Sequence, residues 1–320
     1  MTASSAPAAR LHVNPNGGGE PLIRFAFGVA SSDPLCVPCL PLAGPATESW
    51  YAGDIGESAD TCDAAWAHGE HYAFCALSVD EIDGDIDAAA AHAYQRLLTC
   101  VRPSAHPYLL RVWNYFTAIN EGEDDRERYR RFCVGRARAV DGMFNDPPPA
   151  ATAIGIVRSE DAPARVQLIA LCARAPAIAL ENPRQTPAWR YPREYGPVSP
   201  GFSRGALLDA DTATARLLAS GTASIVGHVS QHAGDSAAQL RESLANLAAL
   251  LDEGQQRSGR RFELAGCETL RVYLRQPHDL AVAQAVIAAS GLPVERVLYL
   301  RGDVCRRELD VEIEGVFAAT

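Results

Sequence analysis

"LRVYLRQPHDLAVAQAVIAASGLP", residues 270–293, reads as a strand, "LRVYL", running into an amphipathic helix of roughly Asp279 to Ser290 that Gly291 and Pro293 close. The N-terminal half carries the same order: a helix near Ala88 to Val101, the strand "LLRVWNYF", and a helix near Asp125 to Val140. The strand cores match in residue type, Leu110-Arg111-Val112-Trp113 against Leu270-Arg271-Val272-Tyr273, and each precedes a helix. The pattern predicts an α+β fold of two pseudo-duplicated units, each with helices packed on one face of a mixed sheet.

Further strands are expected at "ATAIGIV", "ARVQLIALCA", "SGTASIVGHV", "RVLYLRG" and "LDVEIEGVF". A long helix is introduced by Asp235 as N-cap, carries Leu240, Leu244, Leu247 and Leu251 at helical spacing, and is expected to end at Gly254. Three consecutive prolines in "NDPPPA", Asn145 to Ala150, can continue neither helix nor sheet, which places a domain boundary there, with domains of 1–146 and 151–320.

At 320 residues and 48% hydrophobic content the chain can bury a sizeable core. A net charge of -10 argues against a nucleic-acid or anionic-membrane surface, so any anion site must be local. No apolar run is long enough to cross a bilayer and "MTASSAPAARLHVNP" has no apolar signal core, so a cytoplasmic chain is expected. Nine cysteines in mostly apolar segments fit buried free thiols in a reducing compartment.

Metal and cofactor signals are weak. Cys36 and Cys39 form one CxxC without a second pair, and His68 with His71, or His228 with His232, fall short of a ligand set. Glycine loops of the phosphate-binding kind and a GxSxG elbow are absent. No metal and no cofactor is expected.

The informative stretch is "ENPRQTPAWRYPREYGPVSPGFSRG", Glu181 to Gly205, where arginines and aromatics alternate with prolines in an acidic chain. Arg193, Tyr195 and Arg204 suit the fixing of a carboxylate by planar guanidinium forks, although a surface loop paired with surplus acids would look the same. On "DRERYRRFCVGRARAV" Arg136 falls in the apolar stripe, where it needs a protein carboxylate or a bound anion. In "LDVEIEGVF" Leu309, Val311 and Ile313 share one face, so Asp310, Glu312 and Glu314 project from the other. Periodicity cannot choose among these acids, nor separate a solvated face from a desolvated general acid.

Taken together, "LRVWNYFTAIN", "YRRFCVGRARAV", "ENPRQ" followed by "YPREYGPVSPGFSR", "SGTASIVGH" and "CRRELDVEIEG" resemble the chorismatase family. "GHVSQHAGD", "QLRESLANLAALLDEG" and "VEIEG" resemble the YjgF/Rid-like (chorismate-mutase-like) fold on which that family is built. The resemblance implies chorismate as substrate and protonation of its enolpyruvyl methylene by Glu312, with loss of pyruvate. It implies carboxylate binding by Arg136, Tyr191, Arg193, Tyr195 and Arg204. It also implies that Gly221 and Cys305 mark the branch that makes 3-hydroxybenzoate, with some 4-hydroxybenzoate in certain members, in a chain expected to act as a monomer. Alternatives are the hydrolytic branch, which gives a dihydroxycyclohexadiene carboxylate, a Rid-type enamine/imine deaminase, and a non-catalytic carboxylate sensor.

Overall fold

The structure, a computed structural model, describes residues 10–14, 20–28, 35–52, 62–140, 147–157 and 163–320. Short strands β1 (His12–Val13), β2 (Ile23–Ala26) and β4 (Thr47–Tyr51) make a small sheet of their own, while β3 (Leu40–Ala43) extends the edge of the C-terminal sheet.

The first unit contains β5 (Ala65–His68), β6 (Tyr72–Asp80), α1 (Ile86–Val101), β7 (Tyr108–Thr117), α2 (Arg128–Val140), β8 (Ala150–Ile156) and β9 (Arg165–Ala173). Its sheet runs β5-β6-β9-β7-β8. After β10 (Ile178–Leu180), the second unit repeats the plan with β11 (Gly205–Leu208), β12 (Arg216–Ala223), α3 (Ser236–Ser258), β15 (Phe262–Leu274), α4 (Leu280–Ala288), β16 (Val297–Arg301) and β17 (Val311–Ala319). It adds a hairpin of β13 (Ile225–Val226) and β14 (Val229–Ser230), and its sheet, extended at its edges by β10 and β3, runs β10-β11-β12-β17-β15-β16-β3. In each unit the strand before the second helix pairs in parallel with the next strand and antiparallel with the last. The duplication expected from the LRVW and LRVY echo is therefore a duplication of topology.

Local chemistry repeats with it. Asp85 and Asp235 cap α1 and α3 by accepting from the backbone N–H of Ala88 and Ala238, at 3.3 and 2.9 Å. Each is preceded by a glycine of positive φ, Gly84 at 72° and Gly234 at 79°, where the chain turns sharply into the helix.

The helices cover the outer face of each sheet and the inner faces pack together. Phe132, Tyr94 and Val112 belong to the core under α1 and α2, whereas Leu244, Leu270 and Val311 belong to the core under α3 and α4. A third core, with Phe74, Trp113, Tyr115, Leu218 and Tyr273, fills the space between the sheets. Strand alternation then sends Arg111 and Arg271, equivalent in the two units, into that inter-sheet space, along with Glu312 and Glu314.

Three expectations need correction. Prolines 147–149 join α2 to β8 inside the first sheet, because β8 pairs with β7 over its whole length, so the division between units falls after β9 and not between 146 and 151. Asn145 and Asp146 of that segment lie outside the described residues. Helix α3 passes through Gly254 and ends at Gly259, whose φ is 68°. Gly254 faces β12 instead, where a Cβ would overlap the side chain of Leu217, so its small size serves close helix-to-sheet packing. Lastly, Cys62 and Cys100, with Cα atoms 5.5 Å apart, form a disulfide that ties the entry of β5 to the end of α1, and the other seven cysteines are free.

Candidate active site

At one end of the inter-sheet seam a cavity of about 470 Å³ opens between the units. Helix α2 and strand β8 wall one side, and the other is formed by β12, β17, the loop around 191–204 and the segment 305–308. Strand contacts hold the seam, among them Gly155 and Asp303, which exchange backbone hydrogen bonds of 2.8 Å, and Ser220 Oγ, which accepts from the Ala151 N–H at 3.1 Å.

A bulge shapes the floor. Ala219 pairs with Gly315 and Thr222 with Ile313, so β12 holds one residue more than β17 across Ser220 and Gly221. The Gly221 N–H donates to Thr152 Oγ1 at 2.8 Å, which turns this backbone toward the first unit. The carboxyl of Glu312 occupies the room a side chain at 221 would need.

The alternating acids of the last strand are separated by burial and partners. Asp310 precedes β17, is partly exposed and lies 3.9 Å from Arg275. Glu314 is deep in the seam and fully engaged. Its Oε1 accepts from Tyr273 at 2.7 Å, Trp113 at 3.0 Å and Arg271 at 3.2 Å, while Oε2 accepts from Arg111 and Thr152. Arg271 is shared with Glu48, 2.6 Å away. Burial alone would raise the Glu314 carboxyl, but Arg111 and Arg271, with the hydrogen bonds from Thr152 and Tyr273, outweigh it and hold the group below its ordinary range.

Glu312 has the opposite environment. It is 5% exposed, lines the cavity, and accepts no side-chain hydrogen bond from any described residue. Burial, reinforced by the charge on Glu314 and opposed by Arg204 and Arg111, pushes its carboxyl up to about 8. Two glutamates on one strand face thus sit on opposite sides of neutrality, one a fixed anion and the other a protonated acid, a pattern that separates proton donors from electrostatic anchors.

Arg136 and Arg204 are both buried, and neither has a carboxylate partner within ion-pair distance among the described residues. Arg136 rests on the Tyr94 ring, 5.2 Å from its centroid, under Gly201, where a Cβ would overlap Nη1. Arg204 donates from Nη2 to Tyr191 Oη at 2.7 Å and to the Thr186 carbonyl at 3.0 Å, while its Nε is buried without an acceptor. Behind it Glu181 accepts from the Arg204 N–H at 3.1 Å; burial, partly offset by Arg204, pushes that carboxyl up to about 7.

Of the expected site residues, Arg136, Tyr191, Tyr195, Arg204, Gly221, Cys305 and Glu312 line this one cavity. Arg193 does not. It is exposed and forms a two-pronged pair with Asp125, at 2.9 and 2.5 Å, outside the cavity wall. The tyrosines hold arginines: Tyr191 binds Arg204, and Tyr195 lies under Arg306 with a ring-to-guanidinium distance of 4.1 Å. Cys305 is a neutral thiol, pushed up by burial and then by the nearby charge of Glu312. Sequence reasoning missed Thr152, which anchors both Gly221 and Glu314, and Arg306, which follows Cys305 in "CRRELD" where no periodicity marked it. His68, weighed as a metal ligand, stacks on Trp66, and His232 lies beside Glu242.

Comparison with known proteins fits this geometry. The model of the chorismatase FkbO/Hyg5-like N-terminal family matches residues 48–171, which end close to the end of the first unit. A chorismatase of Streptomyces rapamycinicus is 38% identical over 85% of this chain and 82% of its own length. A 3-hydroxybenzoate synthase of Streptomyces hygroscopicus is 33% identical over 86% of this chain and 82% of its own length. A chorismatase crystal structure superposes with a TM-score of 0.80 at 32% identity, covering 99% of this chain and 100% of that one. At 33–38% identity over more than three quarters of the length of these relatives, the chain belongs to the chorismatase family.

Proposed function

We propose that the chain converts chorismate to pyruvate and 3-hydroxybenzoate, with Glu312 as the general acid. The observation that carries the reading is the placement of Glu312: a buried carboxyl held protonated near neutrality, in a cavity whose arginines lack carboxylate partners. The relatives' names, chorismatase and 3-hydroxybenzoate synthase, point the same way.

Glu312 donates its proton to the terminal methylene of the enolpyruvyl ether, and the resulting oxocarbenium ion is stabilised by the negative field of the deprotonated Glu312 and of Glu314. The ring hydroxyl beside the ether attacks the ether-bearing carbon as that carbon's bond to oxygen breaks and pyruvate leaves with the ether oxygen, and the hydroxyl proton returns to Glu312. The arene oxide so formed takes a proton from Glu312 on its oxygen and opens at the carbon that first bore the hydroxyl. Loss of the hydrogen from the former ether carbon to Glu312 then makes the ring aromatic with its hydroxyl at position 3. The two products together contain every atom of chorismate, so the route needs no water. Gly221 and Cys305 bound the space beside Glu312, which supports the aromatic branch over water capture and leaves 4-hydroxybenzoate as a minor product. Arg136 and Arg204 bind the substrate carboxylates with Tyr191 and Tyr195 in support. We place the enzyme in the cytoplasm as a monomer: seven of its nine cysteines are free, although Cys62 and Cys100 are bridged, and both walls of the cavity come from one chain. Among the described residues no helix is long and apolar enough to cross a membrane.

Incubation with chorismate, followed by a pyruvate assay and chromatography of the aromatic fraction, tests the reading. Pyruvate matched one to one by hydroxybenzoate, chiefly the 3-isomer, is expected. Pyruvate with only the non-aromatic diol acid would move the chain to the hydrolytic branch, and no pyruvate at all would end the proposal.

A further inference from the structure

The small N-terminal sheet reaches the centre of the seam through one acid, Glu48 on β4, which is 1% exposed. Both of its carboxylate oxygens are engaged. Oε1 accepts from Arg271 Nη2 at 2.6 Å and from Trp50 Nε1 at 2.7 Å, and Oε2 accepts from Thr269 Oγ1 at 2.9 Å and from Arg271 Nε at 3.2 Å. Trp50 stands two residues along the same strand, hence on the same face, and fixes the acid that grips the guanidinium with two prongs. Arg271 is thereby divided: only Nη1 is left for Glu314 Oε1, at 3.2 Å, beside Tyr115 Oη at 3.3 Å. Arg111, its counterpart in the first unit, donates to Glu314 Oε2, Thr152 and the Ala219 carbonyl, and pairs with no second acid among the described residues.

This buried network holds two guanidinium groups, Arg111 and Arg271, and two carboxylates, Glu48 and Glu314, so its charges cancel. Three further titratable groups face it, Tyr115 on β7, Tyr273 on β15 and Cys39 just before β3, and burial pushes each of them up so that they stay neutral. Glu312 lies two residues before Glu314 on the same face of β17. Its other charged neighbours are Arg204, Arg111 and Arg275, with the neutral side chains of Tyr129, on α2, and Cys305 close by. Taking the charge from Glu48 would leave the network positive by one, and the proton on Glu312 would then be the easiest to lose, because a carboxylate there restores the balance.

We infer that Glu48 is a positioning residue for the proton donor: by taking two nitrogens of Arg271 it keeps that guanidinium from neutralising Glu314, and the anionic Glu314 in turn keeps the proton on Glu312. The inference rests on Glu312 being the acid of the proposed reaction. It gives the N-terminal sheet a part in the chemistry although none of its described residues lines the cavity.

Two readouts on the full chain test it: the pH dependence of pyruvate release from chorismate, and carboxyl carbon NMR of glutamate-labelled protein, in which the Glu312 signal is the one absent from Glu312→Gln. Glu48→Gln keeps the shape of the side chain and removes its charge. It is expected to lower the midpoint by about 0.5 to 1 pH unit in both readouts, so that turnover falls on the alkaline side with little change in KM. Glu48→Asp, which keeps the charge, should hold the midpoint near the wild-type value. Arg271→Gln removes the opposite charge and should raise the midpoint, and it decides the matter if Glu48→Gln does not fold. A purely structural role would lower stability and leave every midpoint where it was; that result, or a rise on Glu48→Gln, would overturn the inference. A wild-type chain that releases no pyruvate loses the proposed reaction, and the NMR midpoint then still decides whether Glu48 holds the proton on Glu312.

Discussion

The backbone of Gly221 lies directly against the carboxyl of Glu312, so close that a methyl group on its Cα would overlap Oε1 and come within 3.0 Å of Thr152 Cγ2. Glycine is required here for space, since its φ is not in the left-handed range. Gly221→Ala must therefore move the proton donor. A fall in turnover of about 10²-fold, the scale of losing a general acid, is expected with a much smaller change in KM, and product that still forms should shift toward the diol acid. Steady-state kinetics of pyruvate release with chromatography of the products checks both parts.

The pH dependence has a definite sign. In the proposed reaction Glu312 works in its protonated form, and burial followed by the charge on Glu314 sets its midpoint at about 8. Turnover should be level below that pH and fall as pH rises through it, and Glu312→Gln should remove nearly all activity while keeping the fold. Stability follows the same proton. Between the ordinary value of 4.5 and about 8 the folded chain retains a proton that the unfolded chain has lost, so stability declines as pH rises through that window. The melting temperature of Glu312→Gln should thus gain on wild type from pH 4.5 to about 8, and parallel melting curves would contradict the assignment.

Replacement of Glu314 should be felt in folding. Glu314→Ala leaves Arg111 and Arg271 facing each other across the seam with no carboxylate between them, a loss of about 3–5 kcal/mol on the scale of breaking a buried pair. Chemical unfolding of Glu314→Ala beside Glu312→Gln should separate the two acids by this measure.

Arginines 193 and 204, close in sequence, should respond differently. Arg204→Ala is expected to weaken substrate binding by about 2–5 kcal/mol, because it would leave a buried carboxylate uncompensated. Arg193→Ala removes only an exposed pair with Asp125 and should leave KM near the wild-type value. Equal losses in the two variants would return Arg193 to the substrate.

Activity is expected to survive exhaustive chelation and dialysis, since protonation of an enol ether needs an acid and a charged cavity rather than a metal. A loss restored only by added zinc would return attention to Cys36 with Cys39 and His68 with His71.

The duplication was legible because LRVW and LRVY sit at the same place in the same element order, and periodicity carried the face of Glu312 correctly. What periodicity could not convey was burial. A strand alternating Val311, Ile313 with Glu312, Glu314 looks solvated until a second sheet, supplied by the other half of the chain, covers its acidic face. The fate of each arginine in the 181–205 stretch was equally hidden, because turns at Pro192 and Gly196 decide which guanidinium meets Asp125 and which meets Tyr191. Gly254 and prolines 147–149 misled for one reason: residues that end elements in isolation also serve where packing is tight or a strand must begin.

The matched registers of the two sheets reveal how unequal the copies have become. Arg271 pairs across its ladder with Glu314 and Tyr273 with Glu312, while at the corresponding rungs Arg111 faces Leu171 and Trp113 faces Ile169. One half holds both acids and the other holds aliphatic residues, an asymmetry that a symmetric pair of identical subunits has no means to encode. Fusion into a single polypeptide permits it, and it also keeps the donor and its opposing wall in fixed stoichiometry, so that dilution of the protein cannot take the catalytic cleft apart.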